Sequence, residues 1–200
     1  LQSVFVFIFR SQFQQVVDRY SSHELAPRGT FLKALTYLER KESQRAEKIL
    51  RGFIQHNRKH EWVGKAYEKL GDAYVDLERP KRAVDAYSQA DSRANSAVDR
   101  VFALYKLGTT YQELNNSSRA TDAFRDVIER GEKNELVVRV PDAHYKIADQ
   151  LYQEKKYDKA LEYYRRATRK YPRFQETAWG LFQIGNIYRN TDKHSEAIKT

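Results

Sequence analysis

The sequence predicts an all-α fold of about five stacked helix pairs, and three observations predict it. Alanines recur at Ala46, Ala83, Ala120, Ala160 and Ala197, in steps of 37, 37, 40 and 37 residues. Self-similarity at a period of this size marks an array of small helical units that bury their apolar faces only against one another. Each of the first four alanines also has a leucine or aromatic residue four places on (Leu50, Tyr87, Phe124, Tyr164), which is helical spacing. Twelve places before each alanine stands another small residue: Ala34, Gly71, Gly108, Ala148 and Gly185. Small residues at that offset suit two helices that cross closely, where a larger side chain would hold the backbones apart.

Composition narrows the class. The chain has 200 residues, 40% of them apolar, which is enough for a core. With 32% charged residues and a mean hydropathy of −0.82, it does not read as a membrane protein. Its longest apolar run, Val4 to Phe9, cannot span a bilayer, is shorter than a signal-peptide core and has no basic start before it. The absence of cysteine excludes disulfides and cysteine-based metal sites and fits either redox compartment. A chain that starts at Leu1, has no methionine and stops inside a helical pattern reads as a fragment. The net charge of +9 permits nucleic acid or an anionic membrane as partner, but its default reading is a solvated helical surface.

Residues 1–26 read as one helix, half of a repeat: Phe9, Phe13, Val16, Val17 and Tyr20 share a face, one period before Ala46, Leu50 and Phe53. Phe5, Phe7 and Phe9 would then be partly uncovered, either as a cut surface or as a contact for a homo-oligomer or partner. Residues 27–200 form the array, truncated in its last repeat. The first unit is carried by Ala34, Tyr37, Ala46, Leu50 and Phe53. The second has Tyr67, Leu70, Gly71 and Tyr74 on one helix face; Pro80 then opens a second helix, where its missing N–H costs nothing, followed by Ala83, Tyr87 and Ala90. The third has Leu104, Leu107, Gly108 and Tyr111, a turn of cap-forming residues Asn115–Ser118, then Ala120, Phe124 and Val127. The fourth runs from Pro141 through Ile147, Ala148 and Leu151 to Ala160, Tyr164, Ala167 and Pro172. The fifth has Leu181, Ile184, Gly185, Tyr188 and Ala197.

A large residue, Leu-Gly, Tyr, then Ala, an aromatic, Ala and Pro at fixed offsets resembles the tetratricopeptide repeat (TPR) family, from about Pro27 to Thr200. The resemblance implies a right-handed solenoid of about five TPR helix-turn-helix repeats plus the N-terminal half repeat. The period of 37 rather than 34 means longer helices or turns. Three extra residues between Arg130 and Pro141 should lengthen the loop between the third and fourth repeats. The segment Lys170–Gly185 resembles bacterial envelope TPR proteins, of outer-membrane assembly, cell-division coordination or exopolysaccharide export. Localisation stays open between the bacterial periplasm or envelope and the cytoplasm.

In TPR proteins the first helices line a concave groove. The resemblance implies a first row of Phe31, Glu68, Tyr105, Tyr145 and Phe182, and a second of Leu35, Asp72, Thr109, Asp149 and Asn186, flanked by Phe102, Asp142, Tyr152, Trp179, Asp76 and Glu113. The candidate partner site is Phe31, Glu68, Asp72, Tyr105, Tyr145, Asp149, Phe182 and Asn186. So aromatic and acidic a groove suits an extended protein or peptide segment carrying Lys or Arg, through cation–π contacts and carboxylate pairs. A glycan bearing amino groups is the alternative. The carboxylate-clamp pattern of Lys and Asn is absent apart from Asn186. Basic residues collect instead between Lys155 and Arg173, on the expected outer face, without a nucleic-acid motif.

The sequence contains no catalytic constellation, phosphate loop or cofactor signature. His56 and His60 have helical metal-ligand spacing but straddle a helix end, with no Glu between them in the metalloprotease arrangement. His144 occupies an apolar helix position, as a packing residue would. The expected function is a non-enzymatic interaction scaffold without metal or cofactor; the alternatives are a polysaccharide-binding module of an export machine and an oligomerisation scaffold.

Overall fold

A computed structural model describes residues 26–199. The N-terminal half repeat and its apolar face lie outside the described residues. The described chain forms ten helices: α1 (Ala26–Glu39), α2 (Ser43–His56), α3 (Val63–Asp76), α4 (Pro80–Ser92), α5 (Ala97–Glu113), α6 (Ser117–Lys133), α7 (Val140–Gln153), α8 (Tyr157–Lys170), α9 (Thr177–Asn190) and α10 (His194–Lys199). No helix among the described residues is long and apolar enough to cross a membrane. The chain divides into two compact units, Leu1–Leu114 and Asn115–Thr200.

Within each unit consecutive helices pack together, and in the first unit α1 also touches α3 and α3 touches α5. The alanine ladder lies in the core: Ala46, Ala83, Ala120 and Ala160 are fully buried, with Leu50, Tyr87, Phe124 and Tyr164 buried beside them. Pro80 stands in the first turn of α4, and the Asn116 side chain caps α6 by accepting from the Arg119 N–H at 3.2 Å. The space at Gly71 belongs to a ring rather than to a crossing backbone. A Cβ there would fall 2.3 Å from Tyr87 Cε1. Gly64 is where backbones do approach: a Cβ would meet the Arg93 carbonyl oxygen at 2.5 Å.

The turn inside each pair follows one pattern that composition conceals. Lys41, Glu78, Asn115, Lys155 and Asp192 all adopt φ between 55° and 58°, although none is the glycine that this left-handed cap usually selects. In four of these turns the next residue donates its N–H to the carbonyl five places back: Glu42 to Tyr37, Arg79 to Tyr74, Lys156 to Leu151 and Lys193 to Tyr188, at 2.8–2.9 Å.

The three extra residues before Pro141 lengthen a helix, not a loop. The connection from α6 to α7 spans residues 134–139, as long as those over 57–62 and 171–176, whereas α6 has 17 residues against 14 in α2 and α8. The helix runs on through Gly131, which lets Val140 pack against it; a Cβ at that glycine would meet Val140 Cγ2 at 2.2 Å. The helix closes only at Glu135, with positive φ, where Leu136 donates to the Gly131 carbonyl at 2.8 Å.

Candidate functional site

In the first unit, α3 and α5 stand side by side and their first-helix positions form a charge network. Lys106 Nζ lies 2.6 Å from Glu68 Oε1 and 2.7 and 2.8 Å from the two Asp72 oxygens. Lys69 adds contacts of 3.1 Å to Glu68 and 3.3 Å to Asp72, and the Tyr87 hydroxyl donates to Asp72 Oδ1 at 2.8 Å. Burial alone would push the Asp72 carboxyl up, but Lys106, Lys69 and the Tyr87 hydrogen bond outweigh it and hold the group below its usual range. The Tyr87 hydroxyl is pushed up by its own burial and by Asp72.

Glu68 and Asp72 are therefore not a free acidic row: two carboxylates face two ammonium groups. The signal was in the sequence. Lys69, Lys106 and Lys146 recur at the ladder's own steps, one place after the first groove row. Beside this network Leu35, Leu38, Lys69, Asp72, Val75 and Asp76 line a cavity of about 510 Å³. Tyr105 is half-buried. Phe31 is not on the groove surface: it is only 6% exposed, with its ring 5.9 Å from Phe53 and 5.3 Å from Trp62.

In the second unit, Asp149 of α7 corresponds to Asp72, and again accepts the hydroxyl of the tyrosine fifteen residues on, Tyr164. Its Oδ1 also accepts the Trp179 indole N–H of α9 at 3.4 Å. No Lys or Arg pairs with Asp149 among the described residues. Trp179 and Phe182 are 47% and 59% exposed, with ring centroids 5.8 Å apart. Asn186, half-buried, donates to Gln183 Oε1 at 3.3 Å. Tyr145 departs from its expected role, being 4% exposed, stacked on Phe174 at 6.2 Å and seated against Gly180. Its ring lies in the core between Tyr164 and Phe174.

The remaining candidates are structural. His56 Nδ1 contacts the Gly52 carbonyl at 2.8 Å, while His60 accepts the Trp62 N–H at 3.0 Å and packs edge-on against Phe53. No group of three His, Asp or Glu side chains among the described residues could hold a metal ion. His144 is fully buried beside Tyr163 and Tyr171, with Nε2 3.4 Å from Glu132. Burial drives its pKa down to about 4 against the opposing pull of Glu132. Glu132 sits on the added turn of α6 and also binds Arg166 at 2.6 Å and Lys170 at 3.1 Å. Two cations of the expected basic face are thereby occupied, and a third, Arg165, donates to the Tyr188 hydroxyl.

Consecutive helix pairs packed in series are the architecture of a helical-repeat protein. The tetratricopeptide repeat family matches by sequence over residues 64–96 and 105–173, and the chain is a TPR protein, of a family whose repeats generally serve as non-catalytic scaffolds. No curated protein matches it. Among solved structures it is similar to BtubC (BKLC) from P. vanneervenii, at 14% identity and a TM-score of 0.75, covering 97% of this chain and 87% of that one. It is similar to YrrB, described as a TPR protein with an unusual peptide-binding site, at 19% identity and a TM-score of 0.67, covering 94% and 87%. MamA matches at 22% identity and a TM-score of 0.65, covering 83% and 88%. At these identities the likeness is one of fold.

Proposed function

We propose that this chain is a non-enzymatic scaffold that holds an extended segment of a partner protein on the first-helix faces of its repeats. The observation that carries the reading is the pair Trp179 and Phe182. Two large rings stand exposed side by side on α9, the first helix of the last described pair. Exposed aromatic residues of this kind anchor interfaces, because they bury much area at little entropic cost. The cavity beside Leu35 and Asp72 offers the first unit a comparable foothold. Lys170–Gly185, which carries the likeness to bacterial envelope TPR proteins, contains the aromatic pair, so an envelope assembly is the setting in which we would first seek the partner.

The test is selection of peptides from a displayed library on the whole chain, followed by titration of the selected peptides against a Trp179→Ala/Phe182→Ala variant and a Leu35→Lys variant. Loss of two anchors should weaken peptides held by the second unit by tenfold or more, on the order of 1–2 kcal/mol, with the circular dichroism spectrum unchanged. Peptides that bind all three proteins equally would refute the reading. Binding confined to a glycan array would favour the polysaccharide module instead.

A further inference from the structure

We infer that Asp149, Trp179 and Phe182 form a subsite for the guanidinium group of an arginine in the partner peptide. This rests on the peptide-binding reading and names the chemistry it selects. The argument begins with the difference between two equivalent carboxylates. Asp72 is saturated: Oδ1 takes Tyr87 and Lys106, and Oδ2 takes Lys106 and Lys69. Asp149 is half-used. Its Oδ1 takes both the Tyr164 hydroxyl and the Trp179 indole, while Oδ2 has no hydrogen-bond donor among the described residues.

The reason lies one repeat on. Lys106 stands two places before Gly108, and the matching position before Gly185 is Gln183. Gln183 is buried and turns its Oε1 to Asn186. Lys146, which stands where Lys69 does, acts on Asp142, and no Lys or Arg among the described residues pairs with Asp149, in a chain that carries 36 Lys and Arg against 27 Asp and Glu.

The rings beside this carboxylate set the ligand. The Trp179 ring is held to Asp149 by its own N–H, and Phe182 lies beside it, tilted by 33°. A guanidinium is flat, weakly hydrated and always charged, so it can lie against these rings while one N–H points to the open oxygen. With Oδ1 already carrying two donors, a bidentate fork is excluded and the contact is a single charge-assisted bond reinforced by stacking. A lysine ammonium reaches the same oxygen but surrenders more hydration and stacks less well, so arginine is the preferred side chain.

The test is an array of nonapeptides that share a randomised background and carry Arg, Lys, norleucine or Glu at the central position. It is probed with the whole chain, Asp149→Asn and Phe182→Leu. Asparagine keeps the acceptor for Tyr164 and Trp179 but removes the charge; leucine at exposed position 182 keeps apolar bulk but removes the ring. Arg peptides should be retained about tenfold above norleucine, with Lys between and Glu lowest. Asp149→Asn should abolish the preference, and Phe182→Leu should reduce it about threefold. An absent arginine preference, or one that survives both substitutions, overturns this inference and leaves the groove reading standing. Failure to retain any peptide overturns both.

Discussion

Lowering the pH from 7.5 to 5 should destabilise the fold through His144 by about 2 kcal/mol. The imidazole is fully buried between Tyr163 and Tyr171, faces Glu132, and is also opposed by Arg166 and Lys170. Its pKa is held at about 4 in the folded chain, against 6.5 for an ordinary histidine. The unfolded chain therefore takes up a proton near pH 6.5 and the folded chain only near pH 4, so acid favours unfolding. The stabilisation is intact above about pH 7 and lost progressively toward pH 4. Linkage with these two values leaves almost no cost at pH 7.5 and about 2 kcal/mol at pH 5. The assay is urea unfolding at both pH values for the chain and for His144→Phe, which keeps an aromatic ring but cannot titrate. The unsubstituted chain should lose about 1 M in midpoint beyond what the variant loses. All other titrating groups are shared, and Glu132 keeps Arg166 and Lys170 in the variant, so the difference reports mainly the imidazole. Identical pH dependence in the two proteins would refute the claim that His144 is held neutral by burial.

Two further predictions concern the repeat itself. Gly71→Ala should destabilise the fold by about 1–2 kcal/mol although alanine is the better helix former, because the Tyr87 ring is pinned by Asp72 and the new Cβ would sit against it; a raised thermal midpoint would contradict this. Lys155→Gly should stabilise by about 0.5–1 kcal/mol, since φ at this turn is 57° and glycine relieves left-handed strain at some entropic cost; a lowered midpoint would show that the turn carries little strain.

By itself the sequence determined the array. Ladder, aromatic rung and small residue are repeated choices of residue type at fixed offsets, and each repeat faces the same packing problem, so a one-dimensional pattern is enough to read helix pairs and their buried stripe. Even the neutralising Lys69 and Lys106 were legible, one ladder step apart. The tertiary structure decided which partner each side chain meets. Lys106 lies 34 residues from Asp72, Trp179 lies 30 from Asp149, and Arg166 lies 34 from Glu132. No local spacing sets whether such groups touch. It also decided that Phe31 and Tyr145 sink into the core, covered by Trp62 and by Phe174 and Gly180 at the start of the following pair, whereas Phe182 lies in the last described pair, and that three added residues become helix. Periodicity reports which face a residue occupies; burial and pairing depend on the side chains that the next repeat places opposite it. That is why Asp72 and Asp149, alike in sequence position, are a saturated salt bridge and a half-open acceptor.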